Sequence, residues 1–123
     1  MTFARLTRIA EQVVSAARQK LPAEVREAAA GVPVCYEPAP NDAILEEGWE
    51  PDILGLFVGP AHNEEMSVAD PLPPQILLFL ENLWDYAEGD EDIYRDEVRL
   101  TYLHELGHYL GWDEEEVARR GLD

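Results

Sequence analysis

One segment near the C-terminus, residues 90–111, limits the possible folds more than any other part of the chain. Its apolar residues recur at helical spacing on almost every side, which is typical of a helix buried inside a domain. Asp90 is a suitable N-cap, and Gly111 suits the end of the helix. A narrow polar stripe interrupts the apolar surface: Glu97, Thr101, His104 and His108. Burying polar groups costs free energy unless each finds a hydrogen-bond partner or a metal ion. The stripe therefore predicts a metal ion bound inside the fold.

The polar stripe contains the sequence His104-Glu105-Leu106-Gly107-His108. Histidines four positions apart share one face of a helix, so both imidazoles can reach one Zn²⁺ at about 2.0–2.1 Å. Glu105 points about 100° away around the helix, too far for a third ligand on that face. From there it can act as a general base toward a water at the metal. The alternative is a buried structural helix with two incidental histidines.

The third zinc ligand is less clear from the sequence. A catalytic zinc site has three protein ligands and an open position. Fifteen residues follow His108, so we expect the ligand just after the helix or upstream of it. The metzincin pattern H-E-x-x-H-x-x-G-x-x-H places Glu114 at its last position and Asp113 one residue early. We predict Glu114, with Asp113 as the alternative, because a one-residue shift in the turn would exchange them.

Three further residues are weaker candidates for the site. His62, in a long loop, is either an upstream ligand or oxyanion donor, or simply a solvated histidine. Glu97 fits an acceptor for a ligand imidazole, and local ion pairing explains it equally well. Tyr109 fits a hydrogen bond near the site, although packing is the more common role.

The rest of the chain predicts short helices and strands. Helices are predicted over residues 3–20, with Thr2 as N-cap, and over 23–30 and 81–88. Loops are predicted over 38–51 and 60–74. Strands are predicted over residues 32–37, 53–58 and 75–80. The first is expected near an edge of the sheet because of Pro33, and the second is expected to be buried. The last strand is either interior or an edge that holds an extended peptide by backbone pairing.

The charge of the chain excludes some partners. It has 26 acidic and 9 basic side chains, and residues 31–94 contain fifteen acidic groups without one Lys or Arg. A surface of this sign disfavours nucleic acid and anionic membranes. Around the long helix it would attract divalent cations and peptide substrates with basic residues. A solvated acidic surface that only keeps the protein soluble is the alternative.

Length and cysteine content bound the class of protein. A chain of 123 residues predicts one domain, residues 1–123, and 46% hydrophobic residues can form its core. Cys35 is the single cysteine, so no internal disulfide can form. The sequence has no secretory signal and no apolar run of the roughly 18–20 residues that span a membrane. We therefore expect a cytoplasmic protein.

Three segments of the chain are similar to those of a known family. They are Ile53-Leu54-Gly55-Leu56-Phe57, residues 72–79, and residues 98–115, which include the two histidines. Over about residues 32–120 the chain resembles the small bacterial zincin-like metallopeptidases, or mini-zincins. No methionine follows the long helix, so the methionine turn of true metzincins is absent.

The resemblance implies a compact zincin-like α/β (α+β) fold, in which a small mixed sheet packs with helices and the second lobe is missing. It implies one Zn²⁺ on the long helix, held by His104 and His108, with Glu105 as the base. It also implies an acidic third ligand after the glycine, usually Asp, where this chain has Glu114.

Two functions follow from these observations. The first is a zinc-dependent metallopeptidase that hydrolyses a peptide or protein substrate with water. The alternative is a non-catalytic metal-binding or regulatory interaction domain on the same scaffold. A structural domain without metal is the third reading.

Overall fold

The computed structural model describes residues 1–60, 73–112 and 114–119. Helices surround a three-stranded mixed sheet, and the longest helix lies near the C-terminus, so the predicted α+β class is confirmed. The elements are α1 (Phe3–Gln19), α2 (Ala23–Ala29), β1 (Val34–Glu37), α3 (Asp42–Glu46), β2 (Gly55–Val58), β3 (Gln75–Phe79), α4 (Leu80–Tyr86), α5 (Glu91–Tyr109) and α6 (Glu114–Arg119). Among the described residues, no helix is long and apolar enough to cross a membrane.

The two long helices begin at the caps that the sequence predicts. The Thr2 hydroxyl accepts a hydrogen bond from the backbone N–H of Arg5 at 3.2 Å. The Asp90 carboxylate accepts one from the backbone N–H of Ile93 at 3.0 Å. Each cap satisfies an N–H group that the first helical turn leaves without a partner. At the other end of α5, Gly111 has φ +77°, the left-handed conformation that lets the chain turn out of the helix.

The order of the strands is β1-β3-β2. β1 is parallel to β3, with Val34 opposite Ile76, and β2 is antiparallel to β3, with Gly55 opposite Leu78. The edge position of β1 is confirmed. β3 is the interior strand, so its alternative role as a peptide-binding edge is wrong. β2 is the second edge of the sheet that the described residues form, and the buried strand predicted there is only partly confirmed, because Leu56 is buried while the other three residues of β2 are half-buried.

Helix α1 packs against α5, and two tyrosines of α5 form hydrogen bonds to α1. The Tyr94 hydroxyl donates to the carbonyl of Leu6 at 2.9 Å. The Arg18 guanidinium donates to the Tyr102 hydroxyl at 2.9 Å and lies 5.6 Å from the centre of that ring. Both tyrosine side chains are fully buried, and burial raises the pKa of each phenol. The core therefore holds α5 through Tyr94 near its start and Tyr102 further along.

Two short helices were not expected from the sequence. α3 lies within the predicted loop 38–51, where the Asn41 side chain caps it by accepting from the N–H of Ile44 at 2.9 Å. The Asn41-Asp42 pair was a capping signal, but no apolar period followed it. α6 follows Gly111 in an acidic run that also lacks an apolar period. Of the predicted loop 60–74, residues 61–72 lie outside the described residues.

Candidate metal centre

Helix α5 brings its two histidines together on one face. Their Nε2 atoms lie 3.1 Å apart, and the rings meet edge to face with centroids 4.7 Å apart. His104 is half-buried and His108 is exposed, so the pair lies at the mouth of the fold rather than in its core. The shared helical face that the spacing predicts is therefore present.

The donor atoms fit a zinc ion. Two ligands at about 2.0–2.1 Å from a tetrahedral ion lie about 3.3 Å apart, close to the separation of the two Nε2 atoms. Together with a carboxylate oxygen of Glu105, the histidine nitrogens form a group whose atoms lie within 4.8 Å of one another. Imidazole with carboxylate is a donor set that zinc favours. His104 and His108 can hold the ion, and Glu105 lies within reach of it.

Glu105 lies between α5 and the free edge of β2. Its side chain is buried, with 9% of the residue exposed, and its carboxylate accepts a hydrogen bond from the backbone N–H of Phe57. Burial raises the pKa of this carboxyl above its ordinary value. The charges of His108 and His104 and the Phe57 hydrogen bond act in the opposite direction. A carboxylate with raised proton affinity is a better general base near neutral pH than an exposed one.

Strand β2 approaches α5 closely because Gly55 has no side chain. A Cβ at this position would lie 2.6 Å from the Cγ2 of Thr101 and 3.2 Å from the carbonyl oxygen of Leu77. Both distances are shorter than ordinary contacts, so any larger residue would push the strand away from the helix. Thr101, one turn before His104, is the member of the predicted polar stripe that is buried beneath β2.

Two cavities meet at Glu105. The His104-side cavity, about 340 Å³, is lined by Leu54, Gly55, Leu100, Thr101 and His104. The His108-side cavity, about 410 Å³, is lined by Trp49, Leu56, Phe57, Gly59, His108 and Gly111. Glu105 lines both, so the carboxylate lies where a ligand that occupies the two cavities would pass.

A family model described as zincin-like metallopeptidase matches residues 29–122. The chain belongs to the zincin-like metallopeptidase family. Among curated proteins, no match to the chain was found. The matched region contains the three strands, α5 and both cavities, and it confirms the resemblance drawn from the sequence. The family implies a zinc-binding site, and the His104–Glu105–His108 group is where this zincin-like protein can form it.

Of the other predicted site residues, three lie in the described part of the chain and two lie outside it. Glu97 is half-buried on α5, and Tyr109 is buried with its ring edge-on to Phe57, 5.8 Å between centroids. The ring contact fits a packing role for Tyr109, and its hydrogen bond near the site stays a prediction. Glu114 is the first residue of α6, whereas Asp113 and His62 lie outside the described residues. The identity of the third ligand stays a prediction.

Two contributors to the site were not expected from the sequence. The backbone N–H of Phe57 reaches Glu105 only because β2 is an edge strand, and no local pattern distinguishes an edge from an interior apolar strand. Trp49 follows α3 and is 46% exposed beside the His108-side cavity. An exposed tryptophan in an acidic loop was the available signal for it.

The described acidic residues of 31–94 do not line either cavity. Twelve of the fifteen fall in the described part of the chain, and none of those twelve lines either cavity. Their charge can act on an approaching ligand through the long-range field, without direct contact at the site.

Proposed function

We propose that this chain is a zinc-dependent peptidase that hydrolyses peptide bonds with water. The observation that carries the proposal is the pair of imidazole nitrogens of His104 and His108, which lie 3.1 Å apart. They flank the buried carboxylate of Glu105, which lines both cavities. His104 and His108 would hold the ion, with Glu114, or Asp113 in its place, as the proposed third ligand. Zinc, when bound, acts as a Lewis acid that polarises a carbonyl and acidifies water.

In this proposal Glu105 moves the protons. Its carboxylate accepts a proton from the attacking water and then gives it to the nitrogen of the leaving amine, so one group serves as base and acid in turn. Burial raises its proton affinity, and the Phe57 N–H holds one carboxylate oxygen in place. Both features fit a group that must bind a proton briefly and release it in a fixed direction.

The substrate in this proposal is an extended peptide lying along β2. β2 is an edge strand next to α5, and an edge strand offers backbone groups to an added strand, here the groups other than the Phe57 N–H that bonds to Glu105. Both cavities open beside this strand, so neighbouring side chains of the peptide would enter them. This role belongs to β2 rather than to residues 75–80.

The experiment that tests the function combines metal analysis with cleavage. Purified protein is analysed for zinc, then incubated with a mixed peptide library whose products are read by mass spectrometry. We expect about one zinc per chain, and cleavage that falls about 10²–10⁴-fold in Glu105→Gln while its zinc content is unchanged.

The outcomes separate the candidate functions. Zinc binding without cleavage by the wild-type protein would support the alternative, a non-catalytic metal-binding or regulatory domain. Glu105→Gln cleaving as fast as the wild type would exclude Glu105 as the base. Protein that neither contains nor takes up zinc would exclude both metal-dependent functions.

A further inference from the structure

The His108-side cavity differs in chemistry from the cavity on the other side of Glu105. Beside His108 and Glu105 its walls include a tryptophan, a leucine and a phenylalanine, whereas the His104-side cavity has no tryptophan, tyrosine or phenylalanine among its described lining residues. Trp49 leaves 46% of its surface exposed there, while the other two tryptophans are half-buried against the core. A large aromatic surface kept in water beside a reactive group is typical of a contact with a ligand.

Two glycines line this cavity in backbone conformations that disfavour a side chain. Gly111 has φ +77°, and a Cβ there would meet nothing within 4 Å, so the space next to it is free. Gly59 has φ +97°, and a Cβ there would lie 2.7 Å from the carbonyl oxygen of Pro73. Since L side chains strain the backbone at both angles, neither position readily acquires a side chain. A volume of about 410 Å³ accommodates a whole aromatic side chain.

The walls also indicate which side chains the cavity would accept. Among the described residues Glu105 is the only carboxylate that lines it, and that group already bonds to Phe57. A lysine or arginine side chain placed there would lose water and would have to share the Glu105 carboxylate with the Phe57 N–H and the attacking water. An apolar or aromatic side chain would instead cover Trp49, Leu56 and Phe57 and remove their apolar surface from water.

We propose that Trp49 is a specificity-determining residue that receives an apolar or aromatic substrate side chain in the His108-side cavity. This inference rests on the proposed peptidase function and names the substrate class. Because Glu105 lines both cavities, the reacting carbonyl lies between them. The selected residue therefore lies at one fixed position on one side of the cleaved bond, while the acidic surface attracts basic residues elsewhere in the peptide.

The cleavage test compares four proteins on one peptide library: wild type, Trp49→Ala, Trp49→Phe and Tyr86→Ala. Tyr86 is 62% exposed and lines neither cavity, so its variant is the matched control for loss of a surface aromatic. We expect wild type to prefer Phe, Tyr or Leu at one position. In Trp49→Ala, kcat/KM for those peptides falls about tenfold or more, while peptides with Ala there change less than about twofold. Trp49→Phe keeps most of the preference, and Tyr86→Ala keeps all of it.

A binding test separates this inference from the proposed function. Dye-labelled Gly-Ser decapeptides with one central Phe, Leu, Lys or Ala are titrated into zinc-loaded Glu105→Gln protein, with and without Trp49→Ala. The inference requires tighter binding of Phe and Leu than of Ala, with the difference lost in Trp49→Ala. Such binding without cleavage by wild type would overturn the peptidase proposal and keep the apolar site.

Three results would overturn the inference itself. They are equal binding of all four peptides, a preference for Lys at the central position, and a Trp49→Ala variant that loses every peptide equally at unchanged zinc content and melting temperature.

Discussion

The backbone N–H of Phe57, on β2, donates a hydrogen bond to the carboxylate of Glu105, on α5. This bond connects the free edge of the sheet to the group that we propose as the base. Because the donor belongs to the backbone, the position of the carboxylate depends on how close β2 lies to α5. Gly55 and Thr101 set that distance.

Gly55→Ala tests this dependence. The added Cβ would lie 2.6 Å from the Cγ2 of Thr101, so we expect β2 to move outward. Overpacking of this kind lowers the free energy of unfolding by about 1–3 kcal/mol. Displacement of the Phe57 N–H should also reduce kcat more than it raises KM. Urea unfolding and steady-state kinetics measure the two effects.

The double variant Gly55→Ala/Thr101→Ser is the control for that experiment. Serine has no Cγ2 methyl, so the main clash is removed and part of the lost stability should return. A single Gly55→Ala variant as stable and as active as wild type would show that β2 does not pack as closely as the structure indicates.

Zinc content tests the ligand set residue by residue. We expect His104→Ala and His108→Ala to contain no zinc. A chelator should lower the melting temperature of wild type, because a bound metal stabilises the folded state, and should leave the melting temperature of both variants unchanged. Elemental analysis and melting scans with and without chelator provide the measurement. Glu114→Ala should lose zinc and Asp113→Ala should keep it.

The His62→Ala variant is the control for the upstream alternative. We expect it to keep its zinc. Loss of zinc in His62→Ala but not in Glu114→Ala would move the third ligand upstream of α5 and refute the prediction made from the spacing after Gly111.

The acidic surface predicts a salt-dependent preference for cationic substrates. The carboxylates of residues 31–94 act through their field, which is screened beyond about 10 Å at 0.1 M salt and about 30 Å at 0.01 M. For a peptide with several lysines outside the His108-side cavity, kcat/KM should fall about tenfold between 0.01 M and 0.3 M salt. The same peptide with Gln for Lys should change little. Identical salt dependence of the two peptides would contradict the proposed attraction.

Buried tyrosines predict a loss of stability in alkali. Burial and, secondly, the charge of Glu11 raise the pKa of Tyr36 to about 12, and burial raises the pKa of Tyr94 and Tyr102. In the unfolded chain a phenol ionises near pH 10. The stabilisation is therefore complete below about pH 10 and is lost as the pH rises toward the folded pKa, with a slope of up to about 1.4 kcal/mol per pH unit for each tyrosine.

Urea unfolding between pH 8 and pH 11 measures this slope. We expect a shallower decline in Tyr36→Phe, because phenylalanine has no proton to lose. Tyr86→Phe, at an exposed position, should decline as wild type does. Equal slopes in wild type and Tyr36→Phe would show that the folded protein does not hold this phenol protonated.

Helix α5 illustrates what was predictable from the sequence. Its caps, its end at Gly111 and the shared face of His104 and His108 depend on residues no more than four positions apart, where helical geometry is the same in any protein. The order of the strands could not be predicted in this way. Residues 53–58 and 75–80 are equally apolar, and nothing within either run says which one has a second neighbouring strand.

The sequence by itself therefore determined the histidine pair and the position of Glu105 next to His104, because local spacing encodes them. The α+β class followed from the resemblance of three segments to the zincin-like family. Only the tertiary structure decided that β2 is the edge beside α5, that its Phe57 N–H bonds to Glu105, and that Trp49 lines a cavity there. Those relations join segments about 45–60 positions apart in the chain. They arise from strand pairing and close packing across the whole core, which no local pattern contains.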